Sequence, residues 1–163
     1  VDELGRGLSQ LTGLTSLTLD LAHTTFTAVD ELGWGLGWMA GLTSLRLCLF
    51  NSKVDPVDEL GRGLSQLTGL TSLTLELAHA KFSAVDELGR GLGRLTGLTS
   101  LNLNLRSTKV ESVDELGRGL SQLRSLDEMF VAMPDGRMVI SVDELPGAPR
   151  QTTGLSAPTA GLL

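Results

Sequence analysis

The five residues Val-Asp-Glu-Leu-Gly occur five times in this chain, beginning at Val1, Val29, Val57, Val85 and Val113, and each copy starts 28 residues after the one before. A fixed period of about 20 to 50 residues is typical of repeat arrays, in which one short unit stacks on copies of itself. Such units bury a core only between neighbours. We therefore expect one elongated domain whose function depends on its surfaces.

The first half of each unit is predicted to be a short helix. In the second unit Val29, Leu32, Leu36 and Met39 follow one another at spacings of three and four, which places them on one helical face. In four units an Asp precedes an Arg by four residues, and we expect an exposed ion pair there, with Asp58 and Arg62 as the clearest case.

Paired glycines recur inside this helical pattern, as Gly33 and Gly35 do in the second unit. Each costs about 1 kcal/mol relative to Ala in a helix interior, so some other interaction must offset them. The favoured explanation is close packing against a neighbouring element, because glycine has no Cβ. The alternative is a phosphate-binding loop at 89–93, which is disfavoured because no strand precedes it in the right register and the same glycines recur in every unit.

The second half of each unit alternates leucine with a polar or variable residue, which predicts a strand with one buried face. Because a helix separates each strand from the next, the strands are predicted to be parallel. The alternating leucines are Leu17, Leu19 and Leu21, then Leu45, Leu47 and Leu49, then Leu73, Leu75 and Leu77, then Leu101, Leu103 and Leu105.

These residues carry a family resemblance. The pattern Leu14-x-x-Leu17-x-Leu19-x-Leu21-x-x-Thr24-x-Phe26 followed by a helix resembles a leucine-rich repeat, and the 28-residue period most resembles the ribonuclease-inhibitor-like class. The resemblance covers Val1 to about Met138. It implies an α/β solenoid, curved, with a parallel β-sheet on the concave side and short helices on the convex side.

The turn after each strand departs from that family. The family usually has Asn or Cys at this place, where the side chain satisfies backbone groups of the turn. Hydroxyl side chains fill part of that role, whereas alanine cannot, so we expect an irregular turn ladder in the same fold. The four residues are Thr24, Ser52, Ala80 and Thr108.

We expect the solenoid to occupy residues 1–142, with units 1–28, 29–56, 57–84 and 85–112 and a divergent fifth at 113–142. In that unit Met129, Val131 and Met133 take the places of strand leucines, a turn follows, and Met138, Ile140 and Val142 alternate again. Residues 128–142 are thus predicted to form a β-hairpin that caps the sheet. The composition of 143–163 predicts a disordered tail.

Charge and composition limit the classes of partner and the cell compartments that suit this chain. A net charge of −6 and a pI near 4.8 argue against nucleic acid as a partner, and no apolar run of about 18 residues offers a membrane span. The single cysteine, Cys48, fits a reducing compartment, so we expect a cytoplasmic protein. The chain begins at Val1, inside a unit, without Met or a secretory leader, and we expect that it is a segment of a larger chain. If it is not, we expect a monomer.

The residues between the leucines are predicted to face outward on the concave side, and they vary while the leucines do not. An invariant frame with a variable exposed stripe suits a recognition surface, although a stripe that is merely solvated remains an equal alternative. Two further candidates, Phe50 and Arg106, lie at the ends of their strands. The full set of candidate partner-binding residues is Thr18, Asp20, Arg46, Cys48, Phe50, Thr74, Glu76, Asn102, Asn104 and Arg106.

Trp34 and Trp38 are the only tryptophans, and they lie four residues apart on one predicted helix. Trp34 stands where the other units have Arg, and Trp38 stands where they have Gln or Arg. Tryptophan often anchors a partner at an interface, but packing over the neighbouring helix is the favoured interpretation of the pair.

We find no pattern for catalysis, a cofactor or a metal. His23 and His79 occupy the same place two units apart, which separates them by roughly 10 Å across the sheet, too far to share a metal ion. Cys48 has no histidine in its own unit. We therefore predict a protein that is not an enzyme.

The leading hypothesis is an interaction module that binds a protein or peptide along the concave face. The alternative is a spacer or sensor segment of a larger enzyme or receptor, without a ligand of its own. Alternating units share details such as Gly37 and Gly93, which suggests duplication of a two-unit block and favours that alternative. A third hypothesis is that the sequence is a decayed or mistranslated repeat array.

Overall fold

The computed structural model describes residues 2–27 and 29–149. Within them, short helices alternate with strands of five residues, followed by a two-residue strand and a 3-10 helix. The helices are α1 (Asp2–Leu8), α2 (Asp30–Gly37), α3 (Asp58–Leu64), α4 (Asp86–Leu92) and α5 (Asp114–Leu120). The strands are β1 (Ser16–Asp20), β2 (Ser44–Cys48), β3 (Ser72–Glu76), β4 (Ser100–Asn104), β5 (Glu128–Ala132) and β6 (Met138–Val139).

The strands form one sheet in the order β1-β2-β3-β4-β5-β6, parallel from β1 to β5. In every parallel pair, residues at equivalent positions of neighbouring units lie side by side, so that Leu45 of β2 lies beside Leu73 of β3. The predicted α/β leucine-rich-repeat solenoid is confirmed: each unit supplies one strand and one helix. No helix within the described ranges is long and apolar enough to cross a bilayer.

The core lies between the sheet and the helices. Leu45 and Leu47 from β2 are at most 1% exposed, as are Leu32 and Leu36 from α2, and all four belong to one hydrophobic cluster that extends through the units. The alternation of leucine along the strands therefore has the predicted phase. Because strands in a sheet lie about 4.8 Å apart whereas packed helices need wider spacing, the sheet is on the concave side.

Adjacent helices approach each other at the paired glycines, as the sequence predicts. A Cβ placed on Gly33 would lie 2.2 Å from the carbonyl oxygen of Glu59 in the next helix. On the other glycine of the pair, Gly35, it would lie 2.1 Å from the carbonyl oxygen of Gly5 in the preceding helix. One glycine thus faces each neighbour, and no larger residue fits at this spacing.

Hydroxyl groups connect the units beside the strands. Thr43 donates through Oγ1 to the carbonyl oxygen of Thr15, one unit earlier, at 3.0 Å. Thr71 and Thr99 repeat this bond at the same distance, each to the threonine of the preceding unit. The threonines that precede β1 to β4 therefore form a ladder across the first four units.

The turn after each strand is irregular, as predicted. Thr24 and Thr108 donate to carbonyl oxygens three residues earlier, at 2.7 and 2.8 Å. The Ser52 hydroxyl is buried without a hydrogen-bond partner among the described residues, and Ala80 has no polar group to offer. The residue before each of these positions, such as Asn51 with a φ of 51°, has a left-handed conformation that asparagine tolerates.

The predicted pairing of Asp58 with Arg62 is wrong. Arg62 instead pairs with Glu59, three residues before it, and Arg90 and Arg118 do the same in their helices. Each helix is only seven or eight residues long, and the glutamate lies nearer to the face on which its arginine projects. The arginines of these pairs are exposed, so solvent screens the attraction and each pair contributes little to the free energy of unfolding.

The C-terminal hairpin is present, but its second strand has the opposite phase to the predicted one. β6 pairs antiparallel with β5, and Met129, Val131 and Met133 are buried as expected. On β6, however, Val139 is fully buried, whereas Met138 and Ile140 are 45% and 64% exposed. The turn between Met133 and Arg137 determines this phase, because the Met133 amide donates to the Arg137 carbonyl oxygen at 2.8 Å.

The predicted disordered tail is wrong for its first seven residues. Val142–Glu144 form a 3-10 helix, and Leu145 is 4% exposed within the core cluster. The Pro146 carbonyl approaches Gly117 of α5 as the next helix does in other units, so this segment covers the last helix. The remainder of the predicted tail, 150–163, lies outside the described residues.

The first unit is less buried than the others. Leu11 and Leu14 are 46% and 36% exposed, whereas Leu67 and Leu70, at the same places in the third unit, are 0% exposed. This agrees with the expectation that stability comes from neighbours on both sides.

The glycine contacts give a matched test. We expect Gly63→Ala to lower the free energy of unfolding by about 3 kcal/mol, because its Cβ would lie 1.9 Å from the Gly33 carbonyl oxygen. Gly7 holds the same place in α1 with no such atom within 4 Å. Gly7→Ala should therefore raise that free energy, by up to about 1 kcal/mol, through helix propensity. Urea unfolding followed by circular dichroism measures both; equal effects of the two substitutions would contradict the packing role.

Candidate functional site

The concave face carries two rows of side chains that cross the sheet in register. The row nearer the start of the strands contains Thr18, Arg46, Thr74 and Asn102, and the next row contains Asp20, Cys48, Glu76 and Asn104. We call these eight residues the concave stripe. Every one of them is exposed or partly exposed, while the leucines between them point into the core.

Several side chains of the concave stripe are held by hydrogen bonds. Asn104 donates through Nδ2 to the Glu76 carboxylate at 3.1 Å, and its Oδ1 accepts from the Arg106 amide at 3.1 Å. Asp20 accepts from the Ala22 amide at 3.0 Å. Their polar atoms are therefore placed before any ligand arrives, which lowers the ordering cost of binding.

Two arginines supply the positive charge of this face. Arg46 lies between Thr18 and Thr74 in the first row and is exposed, and Arg106 is exposed just beyond the end of β4. Neither has a carboxylate within 4.0 Å among the described residues. Both guanidinium groups are thus free to meet acidic or carbonyl groups of a partner.

An aromatic cluster borders the concave stripe where the strands end. Phe50 is partly buried between His23 and His79, with ring centroids at 5.3 and 5.4 Å and edge-on geometry on both sides. Asn51 approaches the His23 ring at 3.1 Å. Sequence reasoning placed the two histidines apart but did not find that Phe50 fills the space between them.

The Cys48 thiol is a poor nucleophile in this setting. Burial raises its pKa above the ordinary value, and the Asp20 and Glu76 carboxylates on either side raise it further, against a backbone hydrogen bond with Phe50 that lowers it. A thiol with a raised pKa is mostly protonated at neutral pH, and the thiolate is the reactive form.

Phe130 is a surface residue that sequence reasoning missed. It lies beside Asn102 in the register of β4 and β5, at the end of the first row, and is 48% exposed. The exposed Met138 of the neighbouring β6 lies opposite Ala132. The sequence contained the information needed to find it, because Phe130 lies 28 residues after Asn102, at the same place in the next unit.

The tryptophans lie on the opposite side of the molecule from the concave stripe. Trp34 is in α2 and Trp38 follows it, with ring centroids 5.9 Å apart in an edge-to-face arrangement. They are 48% and 57% exposed. Together with α3 they line a cleft of about 330 Å³.

No group of three or more metal-ligating side chains occurs within residues 2–27 and 29–149. The Phe50 ring lies between His23 and His79. Within the described residues, the concave side carries polar groups held by hydrogen bonds, two arginines without a carboxylate within 4.0 Å, and an aromatic border.

No family model matches the chain, and no curated protein matches it. A solved structure of an internalin from Listeria monocytogenes is similar over 75% of this chain and 41% of that chain, with 17% sequence identity and a TM-score of 0.31. The chain thus spans less than half of that protein. With so low a score, the fold assignment rests on the strands and helices of this chain.

The thiol offers a test of the electrostatics. We expect Asp20→Asn to increase the rate of Cys48 alkylation by iodoacetamide near pH 8, because removing the carboxylate lowers the thiol pKa and raises the thiolate fraction. The pH at half-maximal rate should fall accordingly. Asp30→Asn removes an equal charge from the helix side and serves as the control. An unchanged profile for Asp20→Asn would show that the carboxylate does not act on this thiol.

Proposed function

We propose that this chain is a protein-interaction module that binds an extended peptide or a protein surface along the concave stripe. The proposal is supported by one observation above the others. The residues that build the scaffold repeat almost unchanged, whereas those that project from the concave side differ between neighbouring units. A constant frame with a varied exposed face suits recognition of one particular partner.

The chemistry of the face indicates what such a partner presents. Arg46 and Arg106 favour acidic groups or backbone carbonyls, Phe50 and Phe130 favour apolar side chains, and the fixed oxygen of Glu76 favours a donor. A partner with mixed polar and apolar groups fits this surface better than nucleic acid, whose phosphates require clustered cations.

Within leucine-rich repeats, we assign the chain to the ribonuclease-inhibitor-like class. The uniform 28-residue unit and a true helix in each of the five units support this assignment. A cytoplasmic location belongs to the same proposal, on the basis of the single cysteine.

The second candidate is a spacer or sensor segment of a larger enzyme or receptor. It is favoured by features that alternate units share, such as Leu-Ala-His in the first and third units and Gly37 and Gly93 in the second and fourth, since copying of a two-unit block enlarges an array without selecting any surface. Under that hypothesis the concave stripe is solvated and binds nothing.

A peptide library displayed on phage distinguishes the two candidates. We expect selection against this chain to enrich peptides that bind it and lose at least about tenfold in affinity when Arg46 and Arg106 are both replaced by Glu. Arg94→Glu reverses an exposed charge on the helix side and should change the affinity less than twofold, roughly. Isothermal titration calorimetry measures each affinity.

Two results would contradict the proposal. One is the enrichment of peptides that bind the double variant as tightly as the original chain, which would place binding elsewhere. The other is the absence of any enriched peptide, which would support the spacer hypothesis.

A further inference from the structure

The second unit departs from the array on its helix side. Trp34 occupies the place that Arg62, Arg90 and Arg118 hold in later units, and Trp38 occupies the place of Gln66. Between them Gly37 has no side chain, where the first, third and fifth units have serine. These changes lie together on one surface, and the buried positions of the same helix keep their leucines.

The two tryptophans are only partly covered, with Trp34 48% exposed and Trp38 57% exposed. The cleft that they form with α3 is lined by the tryptophans, Gly37, Glu59, Arg62, Gly63 and Gln66. Its volume of about 330 Å³ is at the small end for ligand pockets and suits one long side chain.

The same substitution leaves acidic groups without their usual partner. In the third, fourth and fifth units a glutamate of the first turn pairs with the arginine that follows it by three residues. In the second unit that arginine is Trp34, and neither Asp30 nor Glu31 has a Lys or Arg nitrogen within 4.0 Å among the described residues. Asp30 and Glu31 precede Trp34 by four and three residues, so they adjoin it on the helix surface, beside the residues that line the cleft.

The one arginine of the cleft does not cancel this charge. The Arg62 guanidinium is bound to Glu59 of its own helix, and its Nε lies 4.0 Å from Glu87 of the following helix. Its charge is thus compensated by these two carboxylates. Arg6 of α1 holds the place from which Arg62 and Arg90 approach the glutamate of the next unit, yet Asp30, Glu31 and Glu59 still outnumber Arg6 and Arg62 around the indoles, in a chain whose net charge is −6.

We propose that this cleft binds an arginine side chain of a basic peptide, with the guanidinium stacked on the Trp34 and Trp38 indoles and facing the Asp30 and Glu31 carboxylates. Arginine is the side chain that combines a planar cation, which attracts the electron-rich face of an indole, with donors for carboxylates. The site is on the opposite side from the concave stripe, so it does not depend on the function proposed above.

Other occupants fit the cleft less well. An acidic peptide would meet the unpaired carboxylates of Asp30 and Glu31 and be repelled. A purely apolar side chain would contact the indoles but would leave both carboxylates without a partner. Charge complementarity therefore selects the cationic ligand.

Trp34 and Trp38 are the only tryptophans in the chain, so its tryptophan fluorescence reports on this cleft. The probe is the peptide acetyl-Ala-Arg-Ala-Arg-Ala-amide, and a second peptide carries citrulline in place of arginine, with the same shape but no charge. We expect a saturable change in tryptophan fluorescence with the arginine peptide, and affinity at least about tenfold weaker for the citrulline peptide.

Variants locate the effect. Trp34→Arg combined with Trp38→Arg gives the residues that the fourth unit has at both places, Arg90 and Arg94, and both places are exposed, so the fold is retained. Calorimetry should show at least about tenfold weaker binding of the arginine peptide to this variant. Glu31→Gln should weaken binding about threefold, whereas Glu115→Gln, in the fifth unit, should leave it unchanged.

The proposal is overturned if the citrulline peptide binds as tightly as the arginine peptide, since the charge would then be irrelevant. Undiminished binding to the double tryptophan variant would place the site elsewhere. A fluorescence titration without saturation up to about 10 mM, or preferential binding of the matching glutamate peptide, would also overturn it.

Discussion

The close approach of each helix to the next at its glycines is the constraint on which the rest of the structure depends. Strands of one sheet lie about 4.8 Å apart, whereas helices with ordinary side chains pack at about 8–10 Å. A stack of such units must curve to accommodate the difference. Gly33 and its equivalents narrow the helix spacing, so that each helix stays over its own strand and the leucines of neighbouring units meet in one core.

This arrangement separates stability from recognition. The leucines, the glycines and the threonine ladder that begins at Thr43 hold neighbouring units together, and all of them repeat. The concave stripe and the helix face around Trp34 contribute little to that packing, so their residues are free to differ between units. Within one chain, a departure from the repeat at an exposed position is therefore the most informative signal for a binding surface.

Much of the fold was predictable because it is encoded by period and phase. The 28-residue spacing gave the repeating unit, the alternation around Leu45 gave the buried face of the strand, and the paired glycines indicated close helix packing. The features that were missed depend on tertiary geometry: a turn reversed the phase of Val139, and Leu145 packs because α5 leaves a surface to cover. For the candidate site, the stripe followed from strand alternation, but the place of Phe50 between two histidines required coordinates.

Cross-strand disulfides test the in-register stack most directly, in a chain with Cys48 replaced by serine. Thr74 and Asn102 are register partners on the same face of neighbouring strands, so their replacement by cysteine should give a disulfide upon mild oxidation. Thr74 paired with Asn104 shares that face but is displaced by two residues, about 8 Å away, and should not cross-link. Efficient cross-linking of the displaced pair, or none for the register pair, would contradict the stack.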